Sequence, residues 1–377
     1  MPYDFLNPRS ILVFICMLQG VIFAALLLRR GVRERSSSDK WLAALVLVLS
    51  ATLITPFIGF ANVYDNNQWL TYFPFAILYT YGVFVWLYTV TLTDAKRTFS
   101  SRELLLFLPA AIYLVYRFFL FSHSVEWKTE FDRNYGDTSA AVIFVTELAW
   151  NMTFLFLAIR HYRKYRAWLD ENYSDTERIK FDWLRNFLYL FTAVAVFRAA
   201  FDLTNSFVTP LSYIQFFYFE VVLAISTYYL AVSGYIRSRN IEINFVSVAE
   251  ISTEEKRALL SNDELRRQSE RLEQLLVSER PYLEPSLTLT ELSRMLGVNT
   301  TVLSYVINQS QGCNFNDLIN RYRVEAVKAE LAKGSDEQLL TIALDSGFNS
   351  KATFNRAFKK FTGLSPSEYQ ENTSEIG

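Results

Sequence analysis

Seven apolar blocks of membrane length constrain this chain more than any other feature. They cover roughly residues 11–28, 41–61, 69–92, 104–121, 140–159, 183–206 and 211–235. Each has enough residues to cross a hydrocarbon core of about 30 Å at a rise of about 1.5 Å per residue. Inside lipid no water satisfies the backbone, so segments of this kind must close their own hydrogen bonds as helices. The first block lacks the basic region before it and the small-residue cleavage site after it that a secretory signal needs, and RRGVRER follows it directly. It is therefore read as a retained span. From Glu242 onward charged residues are frequent and no block is long enough to cross, so the break near Ile236 marks a domain boundary.

Lys and Arg in the loops set the orientation. Arg29, Arg30, Arg33, Arg35 and Lys40 follow the first block; Lys96, Arg97 and Arg102 follow the third; Arg160, Arg163, Lys164, Arg166, Arg178 and Lys180 follow the fifth. The alternate loops 62–68 and 207–210 contain neither residue type, and loop 122–138 contains only Lys128 and Arg133. The positive-inside rule then places the N-terminus outside and the tail in the cytoplasm. Trp41, Trp69, Trp86 and Trp183 lie near block ends, where interfacial anchors belong.

Ionisable side chains within spans are costly and mark either packing or function. Arg117, Glu147, Arg198 and Glu220 are the cases here, with Asp202 one turn from Arg198. Glu147, Arg198 and Glu220 lie about 12–15 Å from the outer block ends, so opposite charges meet at one depth. They fit a structural ion-pair network or an outward-facing sensing pocket, and the residues leave both open. External loops are too short for a folded sensor, which restricts any stimulus to a small or lipophilic molecule, a membrane partner or the state of the bilayer. Pro56, Pro74 and Pro109 fall within blocks and are candidate kinks.

Several function classes lack their motifs. Cys16 and Cys313 form no disulfide framework, and with only His123 and His161 a metal cluster is not expected. There is no P-loop, dinucleotide turn or nucleophile elbow, so neither an enzyme nor a cofactor is expected. The formal net charge of −1 gives no global field favouring nucleic acid; any basic surface must be local.

Beyond the boundary, residues 252–276 read as a charged helix with capping-box spacing at Ser252/Glu255 and Ser261/Glu264. Its stripe of Leu265, Leu272, Leu275 and Leu276 suits either packing on the next domain or a homodimer seam. The pattern then becomes specific. Thr288/Glu291 form a capping box ahead of Leu289, Leu292 and Leu296; Gly297 permits a tight turn, Val298 plugs it, and Asn299 can cap a second helix that turns Val302, Leu303 and Val306 inward. That is a helix-turn-helix by mechanism. A second copy follows about fifty residues later. Ile342 and Ala343 match Leu292 and Ser293; Gly347, Phe348 and Asn349 match Gly297, Val298 and Asn299; Phe354 and Phe358 match Leu303 and Ile307 with one inserted residue. Between the copies, residues 316–333 read as one amphipathic helix ended by Gly334.

These residues, with Tyr322-Arg323-Val324-Glu325-Ala326, Phe354-x-Arg356-x-Phe358-Lys359-Lys360, Gly363-Leu364-Ser365-Pro366 and Tyr369, give the tail a resemblance to the DNA-binding domain of the AraC/XylS family of bacterial transcription regulators. The resemblance covers about 85 residues. It implies two three-helix lobes on a linker helix, with recognition helices entering successive major grooves of promoter DNA. By position, Thr301, Ser304 and Tyr305 of the first helix and Lys351, Ala352, Asn355 and Arg356 of the second would face bases, while Arg323, Lys359 and Lys360 would meet phosphates. The family often has Arg where Tyr305 stands, and residues 280–377 hold 10 basic and 11 acidic side chains. Base reading is therefore expected mainly from the second helix, where 351–360 holds four basic residues and no acid.

The expected architecture is all-α: a seven-helix transmembrane bundle (1–236), a helical connector (237–279), the two-lobed DNA-binding domain (280–371) and a short tail (372–377). The expected function is a one-component regulator in the bacterial inner membrane. Its spans sense a ligand, its tail binds double-stranded DNA, and RNA polymerase is a partner. A transporter or channel with a regulatory tail, and a constitutive regulator that the spans only tether, are the alternatives.

Overall fold

The computed structural model describes residues 3–94, 96–177, 179–207, 209, 213–237, 260–333 and 338–374, and among these every regular element is helical. The chain divides into two compact units, Met1–Arg163 with Phe181–Phe245, and Lys164–Lys180 with Val246–Gly377.

In the first unit, α1 (Pro8–Arg33) and α2 (Ser37–Thr52) form a hairpin. Asn7 and Ser36 cap them by accepting bonds from the amides of Arg9 and Asp39. A Cβ on Gly20 would lie only 1.9 Å from Ser50 Oγ, so the close approach of these helices depends on the absent side chain. At the other end the Arg30 guanidinium grips the buried Asp39 carboxylate with two bonds of 2.6 and 2.7 Å. It also donates to the carbonyls of Gly234 (3.2 Å) and Tyr235 in α10 (Tyr213–Arg237). This cation therefore ties three helices together, a role that loop charge counting does not reveal.

Among the described residues, six helices are long and apolar enough to cross a membrane: Pro8–Arg33, Ser37–Phe60, Ser101–Phe121, Val125–Asn172, Asp182–Asn205 and Ile214–Ile236. The third expected span differs. Residues 71–80, around Pro74, are not helical, and only α5 (Tyr81–Thr93, 13 residues) remains, about 20 Å long at 1.5 Å per residue. Proline lacks the amide that a helix interior needs and its ring collides with the preceding turn, which outweighs the apolar character of this stretch. Pro56 likewise stands at the break between α2 and α3 (Ile54–Phe60). Pro109 bends nothing, because it occupies the first turn of α6 (Leu108–Phe121), where a missing amide costs no bond.

After the short α4 (Val63–Asn66) and α7 (Val125–Phe131), the 36-residue α8 (Asp137–Asn172) extends well past the expected end at Ile159. The last long helices of this unit are α9 (Asp182–Phe207) and α10. Ile11, Leu12 and Ile15 on α1, Ile112, Val115 and Phe119 on α6, and Val142 and Val145 on α8 are exposed, leaving apolar faces uncovered by protein.

In the second unit, α11 (Asn262–Ser278) is capped by Ser261, which accepts from the Glu264 amide at 3.2 Å. The other expected cap, Ser252/Glu255, lies outside the described residues. Leu265, Leu272, Leu275 and Leu276 all pack on the first of two cores, built with α12 (Leu289–Leu296), α13 (Thr300–Gln311) and the start of α14 (Phe315–Ala332). The stripe that would make a homodimer seam is thus covered within the monomer. The second core joins the later part of α14 to α15 (Leu339–Asp345), α16 (Lys351–Thr362) and Tyr369 of α17 (Pro366–Ser374). Gly334, the expected end of the linker helix, lies outside the described residues; α14 ends at Ala332.

Candidate nucleic-acid interface

Two helix-turn-helix elements are assembled from local signals. In the first, the Thr288 amide donates to Glu291 Oε2 (2.8 Å) and the Glu291 amide to Thr288 Oγ1 (3.3 Å), a reciprocal cap that starts α12. Gly297 ends it at φ +76°, the Val298 amide returns to the Ser293 carbonyl at 3.0 Å, and Asn299 Oδ1 accepts from the Val302 amide to start α13. In the second, Gly347 turns at φ +91° and the Phe348 amide reaches the Ala343 carbonyl at 3.1 Å. The cap of α16 is Ser350, not Asn349: Ser350 Oγ accepts from the Thr353 amide, whereas Asn349 donates to the Pro285 carbonyl at 2.9 Å. The residue inserted between the copies is thus accommodated in the turn.

The faces of α16 separate cleanly. Phe354 and Phe358 are buried with Phe348, while Lys351, Ala352, Asn355, Arg356, Lys359 and Lys360 are exposed. The positions expected to face bases therefore share one accessible side, with a local excess of positive charge. Lys360 is drawn to Asp317 of α14 at 2.5 Å.

The first recognition helix fits its expectation less well. Thr301 and Ser304 are half-buried, and Tyr305 is only 9% exposed, packed into the protein where a base contact needs a free edge. Arg323, expected to meet phosphate, is fully buried. Its Nε donates to the Tyr282 carbonyl (2.7 Å) and its Nη2 to the Glu284 carbonyl (2.8 Å), and the guanidinium lies 5.9 Å from the Phe348 ring centroid. Burial lowers its pKa to about 10, against the attraction of Asp175 and Glu284. Arg323 is a strut that ties segment 282–285 to the linker helix beside Gly347, and it is out of reach of a phosphate.

The structure adds a segment that charge counting passed over. Residues 173–180, after α8, belong to this second unit. The buried Ser174 donates its amide (3.3 Å) and hydroxyl (2.7 Å) to the Leu287 carbonyl, and the carbonyls of Tyr173 and Ser174 accept from Asn316 Nδ2 at 3.0 Å. Ser174 Oγ accepts from Arg323 at 3.2 Å. Asp175 accepts from the Thr353 hydroxyl (3.3 Å), and the Glu177 carboxylate pairs with Arg356 and with Lys180. Burial raises the Glu177 pKa, but the bonds and charges of Lys180 and Arg356 outweigh it and hold the group below its ordinary value. The sequence signal was the acidic set Asp170, Glu171, Asp175 and Glu177 within a loop read only for its cations.

Among the intramembrane candidates, Arg198 bonds Asp202 at 2.7 Å and stands 3.9 Å from Glu220. Glu147 lies within the electrostatic field of Arg198 and Asp202, and its hydrogen bond is to its own helix. It accepts from Asn151 Nδ2 (2.6 Å), and Asn151 Oδ1 accepts the Gly82 amide (2.9 Å), satisfying an orphan donor at the start of α5. Arg117 lies over the Tyr72 ring at 4.9 Å and lines a cavity of about 440 Å³ with Tyr64, Asp65, Gln68 and Thr71.

Residues 292–372 match the family model described as a helix-turn-helix domain. The C-terminal unit carries an AraC-type helix-turn-helix domain. An uncharacterized HTH-type transcriptional regulator of Staphylococcus aureus (strain COL) is 36% identical over 95 residues, 25% of this chain and 13% of its own length. The uncharacterized HTH-type transcriptional regulator YtdP of Bacillus subtilis (strain 168) is 32% identical over 88 residues, 23% of this chain and 11% of its own. The chain thus spans about an eighth of the length of these curated relatives. A solved structure of a Listeria innocua protein of unknown function is 33% identical, covering 26% of this chain and 90% of that one, with a TM-score of 0.24.

Proposed function

We propose that this chain is a membrane-held transcription regulator whose C-terminal helix-turn-helix domain binds promoter DNA and acts with RNA polymerase. The observation that carries the reading is the exposed face of α16, which presents Lys351, Asn355, Arg356, Lys359 and Lys360 together beyond the Gly347 turn. Arg is suited to guanine and Asn to adenine in the major groove, while the lysines at the helix end suit phosphates. Thr301 and Ser304 supply the lesser contribution of the first recognition helix.

Six long apolar helices among the described residues, with uncovered apolar faces on α1, α6 and α8, support residence in the bacterial inner membrane. A third pass built from 71–80 and α5 brings the passes to seven and leaves the tail cytoplasmic, in agreement with the loop cations. Irregular backbone is tolerated at membrane depth where protein covers it, and 74–80 is half-buried or buried throughout. The membrane unit senses a small or membrane-borne signal, and the Arg117 cavity is its candidate entry. There the buried Arg117 Nε has no hydrogen-bond partner among the described residues, which suits an anionic or hydrogen-bond-accepting ligand.

The test is selection of binding sites from a random duplex library by the full chain in lipid nanodiscs. A recovered consensus that Arg356→Ala relaxes at one position supports the reading. Recovery of no consensus contradicts it.

A further inference from the structure

Segment 173–180 touches the chain just before α12, the linker helix and the second recognition helix. Ser174 is pinned to Leu287, just before α12; Tyr173 and Ser174 are held by Asn316 of the linker helix, and Ser174 also by Asn320 at 3.3 Å. Two acidic side chains then extend to α16 and engage Thr353 and Arg356, one turn apart on the second recognition helix. Arg356 has the strongest claim to a bidentate base contact, and its guanidinium is here committed to a carboxylate. Carboxylates in this position imitate the charge of DNA phosphates and repel the real ones.

We propose that segment 173–180 is an intramolecular latch that holds the second recognition helix closed, and that DNA must displace it before Arg356 can read a base. The proposal rests on the DNA-binding reading and adds a regulation to it. The loop continues directly from α8, whose sequence includes the apolar block 140–159, so this one helix joins a membrane-length segment to the latch. A shift of α8 that withdraws Ser174 from Leu287 would carry Asp175 and Glu177 off α16. A ligand acts through this element only by binding the latched and released states with different affinity.

The test compares DNA affinity of the full chain in nanodiscs, using the duplex recovered from the random library, for the native protein and for Asp175→Asn/Glu177→Gln. Both substitutions are nearly isosteric and keep hydrogen-bonding capacity while removing charge. Release of a coupling of ordinary allosteric size raises affinity about fivefold or more. A second readout needs no substitution: hydrogen exchange of the peptide covering 173–180 should accelerate when that duplex is added, as the Ser174 amide loses Leu287. Unchanged affinity, or unchanged exchange with DNA bound, overturns the latch. If binding then still depends on Lys351 and Asn355, the DNA-binding reading stands without it. No selective binding by native protein or variant removes both.

Discussion

The two turn glycines offer a controlled comparison, because they share a backbone conformation and differ in surroundings. Gly297 has φ +76° and open space where a Cβ would project. Gly347 has φ +91°, and a Cβ there would lie 2.4 Å from the Tyr282 carbonyl oxygen and 2.9 Å from Arg323 Nε. Gly297→Ala should cost only the left-handed penalty, about 1–2 kcal/mol. Gly347→Ala incurs the same penalty and about 1–3 kcal/mol of overpacking. It also weakens the Arg323–Tyr282 bond at the clash, and bonds of charged donors are worth about 1.5–3 kcal/mol. The total is at least about 3 kcal/mol, or more than a hundredfold in a local opening equilibrium. Hydrogen exchange on the full chain in nanodiscs measures this directly. Gly347→Ala should accelerate exchange about a hundredfold in α16 and in segment 282–287 together, whereas Gly297→Ala should produce roughly tenfold effects confined to α12 and α13. Equal effects at the two sites would refute the assignment of Arg323 and Tyr282 as the ceiling over Gly347.

Other substitutions probe separate parts of the account. Arg356→Ala should reduce affinity for the selected site by about 1–3 kcal/mol and relax one base position, while Lys359→Ala should weaken all sequences alike and lower the salt slope by about one, as titrations at several ionic strengths would show. Asp39→Leu should strand Arg30 without its carboxylate among the carbonyls of α10 and destabilise the membrane unit by about 3–5 kcal/mol, read as a lower unfolding temperature in detergent. Asn151→Leu should leave the Gly82 amide unpaired at about 1–3 kcal/mol and lower the same temperature, whereas Asn151→Asp, which keeps the acceptor but faces Glu147, should fall no closer to native behaviour.

The helix-turn-helix elements were legible because their signals are local. Thr288/Glu291, Gly297 and Asn299 act within a few residues of themselves, and Gly347 repeats the pattern. What the sequence hid is non-local. Tyr305 and Arg323 occupy positions that the family resemblance turns toward DNA, yet both are buried, Arg323 against Tyr282, Phe348 and segment 282–285, which no spacing encodes. The cap of α16 moved from Asn349 to Ser350 because the inserted residue was absorbed in the turn and Asn349 found Pro285, sixty-four residues away. The third apolar block passed a hydropathy criterion, but one proline decided its backbone. Depth brings Glu147 into the field of Arg198, but its hydrogen bond to Asn151 on its own helix carries no depth signal. Segment 173–180 was read for orientation through its cations, although its acids make the contacts more than 170 residues along the chain.

The central claim is that one chain reads DNA while held in a membrane. The most direct measurement is sequencing of DNA crosslinked in cells to the full-length protein and recovered from washed membranes. The expected result is a small set of promoter fragments sharing a motif in two blocks about one helical turn apart. In the double variant Asn355→Ala/Arg356→Ala the enrichment should fall while membrane abundance is unchanged. Recovery of the protein in the soluble fraction, or of membrane-associated DNA with no shared motif in native protein, would contradict it.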